Sequence, residues 1–134
     1  MTVGIIGLGL IGGSLAKSYR RTPELTVLGW DANESVTEFA QLAGAIDAPL
    51  TDDRLAELDL LLLAVYPEAV VQQLERLAPL LAPHTMVIDC AGTKARVCAR
   101  AFPLAAEHGF RFLGGHPMAG TQFSGFKYSR ADLF

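Results

Sequence analysis

The feature that most constrains this chain is a regular alternation of short apolar runs with longer stretches of helical periodicity. The apolar runs predict strands at Val3–Gly7, Leu25–Trp30, Leu58–Val65, Thr85–Asp89 and Phe110–Leu113. The stretches between them predict helices at Ile11–Arg21, Glu34–Ala43, Glu68–Leu81 and Ala95–Glu107. Strands that alternate with helices form parallel sheets. Each helix carries the chain back to the end of the sheet where the previous strand began, so the next strand runs in the same direction. We therefore predict an α/β domain with a doubly wound, mostly parallel sheet and helices on both faces.

Turn residues at the helix ends support this prediction. Pro67 stands where the third helix begins, and a proline is tolerated there because the first helical N–H needs no partner within the helix. Gly44 and Gly109 follow the second and fourth helices, at the position that favours a left-handed backbone.

Composition excludes several classes of partner. The chain has 134 residues, of which 51% are hydrophobic, so it is large enough for one domain with its own core. Its net charge is -3 and its densest basic cluster is Arg20-Arg21, so we do not expect nucleic acid as a partner. The longest apolar run, Leu58–Val65, is far below the roughly 20 residues that a membrane helix needs. We expect a cytoplasmic protein without a membrane segment.

The two cysteines, Cys90 and Cys98, form neither a C-x-x-C pair nor a metal-binding pattern with the histidines. We expect two reduced, partly buried thiols and no metal site, with a disulfide or a zinc site as the alternative.

The last residues, Ser129–Phe134, end on two apolar side chains without a polar tail. This ending predicts a fragment of a longer protein. We expect a substrate-binding domain to follow it, since ligand sites commonly lie between domains.

A glycine-rich motif joins the first predicted strand to the first predicted helix: Gly7-Leu8-Gly9-Leu10-Ile11-Gly12. In such a motif Gly7 allows the tight turn, Gly9 lets the backbone approach a pyrophosphate, and Gly12 lets the helix pack on the strand. The N-terminus of the helix supplies free N–H groups for the phosphates. The motif predicts a Rossmann-type dinucleotide site, and the alternative is a set of ordinary turn glycines.

An acidic residue, Asp31, stands roughly 20 residues beyond this motif, at the end of the second strand. Its carboxylate would accept hydrogen bonds from the ribose hydroxyls of a dinucleotide. No arginine stands beside Asp31 to compensate a 2′-phosphate. The sequence therefore favours NAD over NADP as the cofactor.

Two further turns follow predicted strands. Val65 and Pro67 would place backbone near the nicotinamide end of the cofactor, although a plain helix start explains the same residues. Thr93 and Lys94 follow Asp89, and Lys94 is a candidate cation for a substrate carboxylate. The alternative is that Thr93 only caps the next helix.

A histidine lies in a glycine-rich loop after the last predicted strand. His116 follows Gly114-Gly115, which let the backbone turn sharply and approach a ligand closely, and it precedes Pro117, which restricts the backbone. Imidazole is the side chain that exchanges a proton near neutral pH. We predict that His116 is a general base, with a structural loop histidine as the alternative. His84 and His108, in a polar turn and at a helix end, are expected to be structural.

Four features thus come together: the glycine motif, Asp31, the turn Asp89–Lys94, and the loop Gly115-His116-Pro117-Met118-Ala119-Gly120 followed by Ser124-Gly125. Together they resemble the N-terminal domain of the prephenate or arogenate dehydrogenase family, over essentially the whole chain. The resemblance implies NAD-dependent oxidative decarboxylation of prephenate to 4-hydroxyphenylpyruvate in tyrosine biosynthesis, with His116 as the base. It also implies a C-terminal helical domain that dimerises and completes the site.

This chain departs from the family pattern at two positions. Many members have a serine where Gly92 stands, and an acidic residue where Gln122 stands. The resemblance makes Thr93, Lys94, Gln122 and Ser124 candidate substrate contacts, and it leaves the choice between prephenate and arogenate open.

Two other functions stay open at this point. One is a different Rossmann oxidoreductase, of the 3-hydroxyacid dehydrogenase or pyrroline-carboxylate reductase type, in which His116 is only a loop residue. The other is a nucleotide-binding module without catalysis. Activity of a His116→Asn variant and the chemistry of any following domain separate these from the family function.

Overall fold

A computed structural model describes residues 1–134. The sheet contains β1 (Thr2–Ile6), β2 (Thr26–Trp30), β3 (Ala48–Pro49), β4 (Leu60–Leu63), β5 (Met86–Asp89) and β6 (Arg111–Gly114). The helices are α1 (Leu10–Tyr19), α2 (Glu34–Leu42), α3 (Pro67–Leu77) and α4 (Ala95–His108), with short 3-10 segments at Asp52–Glu57, Ala78–Leu80 and Phe126–Tyr128. None of the helices has the length and apolar character that crossing a membrane requires.

The strands pair in the order β3-β2-β1-β4-β5-β6, and every pair is parallel. This order is the Rossmann arrangement, and it confirms the predicted doubly wound sheet. The order reverses between β1 and β4. Because α1 leaves β1 toward one face and α3 leaves β4 toward the other, a crevice opens between the carboxyl ends of these two strands.

Alternate side chains of the central strands enter two separate cores. On β4, Leu60 and Leu62 belong to the cluster that contains Ala16 of α1. Leu61 and Leu63 belong to the opposite cluster, with Val70 of α3. A strand covered on both faces has no polar side, which explains the continuous run of leucines. The predicted helices on both faces are therefore confirmed.

The helix ends follow the turn residues. Gly44 and Gly109 have φ of 71° and 83°, which confirms the left-handed positions after α2 and α4. Pro67 is the first residue of α3. The predicted extension of that helix to Leu81 is wrong, because Pro79 lacks an N–H and crowds the preceding turn, so Ala78–Leu80 tightens into a 3-10 segment.

Two strand predictions also need correction. The prediction missed β3, whose two residues are too few to show a period of two and include Pro49. The Leu50 N–H nevertheless donates to the Gly29 carbonyl at 2.8 Å and holds this edge. The strand predicted over Leu58–Val65 is shorter in the structure, where only Leu60–Leu63 pairs within the sheet.

Substitution of Gly12 by alanine tests the contact that sets α1 against the sheet. A Cβ at Gly12 would lie 1.8 Å from the Gly7 carbonyl oxygen, which is backbone and cannot move aside. We expect Gly12→Ala to lower the free energy of unfolding by about 1–3 kcal/mol, the usual cost of overpacking. Urea denaturation followed by the fluorescence of Trp30 measures it.

Gly9→Ala is the matched control, because no heavy atom lies within 4 Å of its added Cβ. Its free energy of unfolding should stay within about 0.5 kcal/mol of the parent chain, as for other unconstrained positions. Equal losses in the two variants would contradict the assignment of the strain to the Gly7–Gly12 contact.

Candidate functional site

A cleft of about 610 Å³ lies along the carboxyl ends of β1, β4 and β5. Its walls come from the glycine loop, the end of β2, the turns after β4 and β5, and the segment Ser124-Gly125 near the end of the chain. The lining residues are Gly7, Gly9, Leu10, Ile11, Asp31, Ala32, Ala64, Val65, Tyr66, Pro67, Ala69, Cys90, Ala91, Gly92, Ser124 and Gly125. The cleft thus occupies the crevice at which the strand order reverses.

The glycine loop forms one end of this cleft. Gly7 has a φ of 87°, and its N–H donates to the Trp30 carbonyl at 2.8 Å, so the loop turns sharply against the end of β2. Gly12 is pressed against the Gly7 carbonyl, whereas the position of a Cβ on Gly9 is open space. The backbone at Gly9 is therefore open toward the cleft.

The N-terminus of α1 faces the same space. Its N-cap is Gly9, which has no side chain to accept from the first N–H groups, and its first turn contains no acidic residue. The first N–H groups of a helix have no acceptor within that helix. Free donors and the positive end of the helix dipole therefore meet at the cleft, which is the setting that binds phosphate.

Asp31 connects the glycine loop to the turn after β2. Its Oδ2 accepts from the Leu8 N–H at 2.8 Å, and its Oδ1 accepts from the Asn33 N–H at 2.9 Å. The hydroxyl of buried Thr37 accepts from the Asp31 N–H at 3.0 Å and fixes the backbone. Each carboxylate oxygen can accept a further hydrogen bond, so Asp31 is both held in place and able to bind a hydroxyl group.

The other end of the cleft is made of small and apolar groups. Val65 and Pro67 come from the turn that begins α3, and Cys90, Ala91 and Gly92 follow β5 directly. Such a surface suits a flat ring and offers no competing charge.

His116 is exposed on the loop that follows β6, close to this apolar end. A Cβ added to Gly92 would lie 3.6 Å from His116 Nε2. Since Gly92 lines the cleft and carries no side chain, the imidazole borders the cleft with nothing larger than a hydrogen between them at this point. The structure therefore brings the predicted base beside the predicted cofactor site.

The candidate substrate contacts are not all in one place. Ser124 lines the cleft, whereas Thr93 and Gln122 are exposed and do not line it. The alternative role of Thr93 as a helix cap is wrong, because the N-cap of α4 is Lys94 and no side chain accepts there. Substrate contact by these residues stays a prediction.

Cys90 and Ala91 line the cleft although the sequence does not predict them as cofactor contacts, and Tyr66 lines it within the predicted turn between Val65 and Pro67. The one feature of the sequence that could have indicated Cys90 and Ala91 is their position directly after Asp89, the last residue of β5. Leu8 and Gly12 are also predicted for the cofactor site, but both are buried beneath the loop and do not line the cleft. Leu8 contributes only its backbone N–H, which donates to Asp31.

The Cys90 thiol is buried at the floor of the cleft. Burial, with the neighbouring charge of Asp89, raises its pKa to about 11, and the ammonium of Lys94 opposes this only in part. The thiol is therefore protonated at neutral pH and acts as an apolar side chain. Cys90 and Cys98 are both free thiols, as expected from their spacing.

The chain matches the family model described as "Prephenate dehydrogenase, nucleotide-binding domain" over residues 15–134. It is 36% identical over 133 residues to the prephenate dehydrogenase of Lactococcus lactis subsp. cremoris, covering 97% of this chain and 37% of that protein. It is 32% identical over 135 residues to the cyclohexadienyl dehydrogenase of Zymomonas mobilis subsp. mobilis, covering 98% and 45%. The chain thus spans less than half the length of these curated relatives.

Solved structures agree in fold. Synechocystis arogenate dehydrogenase superposes with a TM-score of 0.89 at 31% identity, over 100% of this chain and 47% of that chain. Prephenate dehydrogenase from Aquifex aeolicus, in complex with hydroxyphenyl propionate and NAD+, gives 0.82 at 32% identity over 99% and 47%. A 3-hydroxyisobutyrate dehydrogenase from Mycobacterium tuberculosis gives 0.75 at 20% identity, a likeness of fold alone.

The raised pKa of Cys90 predicts a specific pH dependence of stability. A thiol in the unfolded chain ionises near 9, whereas Cys90 in the folded chain holds its proton until about 11. Between these values the folded state binds more protons, so the free energy of unfolding falls as the pH rises. Replacing Cys90 by alanine should make this fall smaller.

Urea denaturation at pH 8, 9, 10 and 11 measures the effect, and Cys98→Ala is the matched control because Cys98 is partly exposed. We expect Cys98→Ala to keep the parent slope. A Cys90→Ala variant with the same slope as the parent would show that the thiol ionises alike in both states.

Proposed function

Because the chain belongs to the prephenate dehydrogenase family, as its nucleotide-binding domain, we propose that it holds NAD and the catalytic base for the oxidation of prephenate or arogenate. The observation that carries the proposal is the position of His116, with its Nε2 3.6 Å from where a Gly92 side chain would begin. The glycine loop and Asp31 line the same cleft. One cleft therefore offers a cofactor site and a proton acceptor side by side.

The residues present fit a dinucleotide. The open backbone at Gly9 and the uncapped N-terminus of α1 would hold the pyrophosphate, with Leu10 and Ile11 in the first turn. Val65 and Pro67 would border the nicotinamide at the apolar end. The Aquifex aeolicus relative, which is described as a complex with NAD+, supports a nicotinamide cofactor.

The preference for NAD follows from Asp31. Its carboxylate already accepts two backbone N–H groups, which fixes it at the end of β2 with capacity left for ribose hydroxyls. A 2′-phosphate would bring negative charge against this carboxylate, and the neighbouring Ala32 and Asn33 carry no compensating charge. Repulsion of like charges therefore disfavours NADP.

The chemistry assigned to this chain is proton transfer. A bound NAD would supply the hydride acceptor for the ring carbon that carries the hydroxyl group. Neutral His116 takes the proton of that hydroxyl as the carbonyl forms. The bond from the ring to its carboxylate then breaks, its electron pair makes the ring aromatic as carbon dioxide leaves, and the resulting phenolate oxygen takes a proton back from the imidazolium. General base catalysis of this kind contributes about 10²- to 10⁴-fold to the rate.

Further residues complete the proposal. Ser124 lines the cleft and is the candidate substrate contact that the geometry favours, with Thr93 and Gln122 exposed outside the lining. We propose that a helical domain outside these 134 residues closes the site and dimerises, which the greater length of the curated relatives supports.

Asp31→Asn tests the cofactor preference. The amide keeps an oxygen acceptor but removes the charge, so NAD should bind at least about 10-fold more weakly, a loss of about 1.4 kcal/mol. NADP should lose less or gain, because the repulsion disappears. Titration calorimetry of the chain with both nucleotides measures the two affinities.

Asp53→Asn is the control, since Asp53 is an exposed carboxylate on the 3-10 segment Asp52–Glu57. It should change neither affinity. Equal losses for NAD and NADP in Asp31→Asn would exclude Asp31 as the residue that selects between them.

His116→Asn tests the base. In the enzyme that turns over prephenate, we expect kcat to fall by about 10²- to 10⁴-fold. The parent rate should fall at acid pH as the imidazole takes up a proton, and the variant should lose this dependence. Steady-state rates between pH 5 and 9 measure both effects.

His84→Asn is the matched control, because His84 is exposed in the turn before β5. It should keep the parent rate and pH profile, and His116→Asn should keep the parent affinity for NAD. An unchanged pH profile in His116→Asn would refute its assignment as the base.

A further inference from the structure

We propose that Lys94 is a positioning residue for His116, because its ammonium joins the buried carboxylate of Asp89 to the carbonyl of Gly115. Gly115 is the residue before His116. The inference rests on the proposed function of His116 as the base. It gives Lys94 a task in catalysis other than direct contact with a substrate carboxylate.

The first observation is the burial of Asp89. This residue ends β5 and its side chain has no exposed surface. Its Oδ1 accepts from the Ala91 N–H at 2.7 Å, and its Oδ2 is paired with Lys94 Nζ. A buried carboxylate requires a partner of opposite charge, and Lys94 is the cation within salt-bridge distance of Asp89.

The second observation is the double attachment of Gly115. Its N–H donates to the Asp89 carbonyl at 2.8 Å, and its carbonyl accepts from Lys94 Nζ. Both backbone polar groups of the residue before His116 are therefore bound to the same corner, formed by the end of β5 and the start of α4.

The third observation is how closely the loop lies against this corner. A Cβ on Gly115 would lie 2.9 Å from the Asp89 carbonyl oxygen, and one on Gly114 would lie 3.4 Å from Cδ of Lys94. The two glycines thus let the backbone approach the lysine stem and the strand end. Pro117 restricts the backbone on the far side of His116.

The chemistry of the ammonium favours this role over substrate binding. An ammonium has three N–H donors, and two are directed at Asp89 and Gly115. The side chain is also only 32% exposed. A substrate carboxylate would have to compete with an ion pair already formed, whereas the link to the loop needs no further group.

Positioning of this kind has a measurable consequence. A displacement of about 1 Å of a catalytic group can reduce the rate about 10²-fold without altering the group itself. Removing the Lys94 ammonium frees the Gly115 carbonyl and leaves Asp89 without its cation. The imidazole should then occupy a wider range of positions beside Gly92.

Nuclear magnetic resonance of the imidazole groups tests the proposal in Lys94→Met. The chain has three histidines, so His84 and His108 are internal references for His116. We expect the His116 signals to shift and broaden while the other two stay unchanged. Arg96→Met is the matched control, since it removes an exposed ion pair with Glu68 from the first turn of the same helix.

Kinetics in the enzyme that turns over prephenate separate positioning from substrate binding. Lys94→Met should lower kcat by about 10- to 100-fold, with the KM for prephenate and for NAD within about twofold. A raised KM for prephenate at unchanged kcat would overturn the proposal in favour of a substrate contact. Unchanged His116 signals would overturn it as well.

If Lys94→Met does not fold, a double variant keeps the proposal testable. Asp89→Asn with Lys94→Met removes both charges, so no unpaired charge is buried, yet the link to Gly115 is still absent. The double variant should show the shifted and broadened His116 signals and the loss of kcat that are expected for Lys94→Met. Parent-like signals in this variant would contradict the proposal. Full activity of His116→Asn would instead refute the proposed function, whatever Lys94 does.

Discussion

The contact between Gly12 and the Gly7 carbonyl is the constraint on which the site depends. Since neither residue has a side chain, the short turn from Gly7 to Gly9 is enough to lead from the end of β1 into α1. This places the uncapped helix N-terminus in the crevice between β1 and β4. A side chain at either glycine would move the helix away from the strand and its free N–H groups away from the cleft.

Two carboxylates at strand ends then determine the shape of the loops around the crevice. Asp31 binds the backbone N–H groups of Leu8 and Asn33, and Asp89 binds that of Ala91. In each case a short acidic side chain satisfies backbone donors that the end of a strand leaves free. The same hydrogen bonds that fix the loops also fix the groups proposed to meet a ligand, so stability and the proposed function depend here on the same atoms.

The amino-acid sequence predicts the backbone correctly where a local pattern has one structural solution. The glycine motif, the alternation of strands and helices and the cap glycines Gly44 and Gly109 each predict their own backbone, and the structure agrees. The sequence does not predict contacts between residues far apart in the chain, or an element of only two residues. No local pattern shows that Lys94 reaches Gly115, 21 residues away, or that a two-residue strand forms at Ala48–Pro49. The predicted end of α3 at Leu81 is wrong because Pro79 removes a helical N–H donor and the chain tightens into a 3-10 segment there.

The hydrogen bonds that hold Gly115 matter more because residue 92, beside the imidazole of His116, is a glycine. Gly92, in the turn after β5, offers the imidazole of His116 no side chain, although a Cβ there would lie 3.6 Å from Nε2. The backbone on both sides of the histidine is constrained instead, by the hydrogen bonds of Gly115 on one side and by Pro117 on the other. On the proposed function, a base held through its backbone would keep both ring nitrogens available, and its position would depend on a buried ion pair that lies outside the cleft lining.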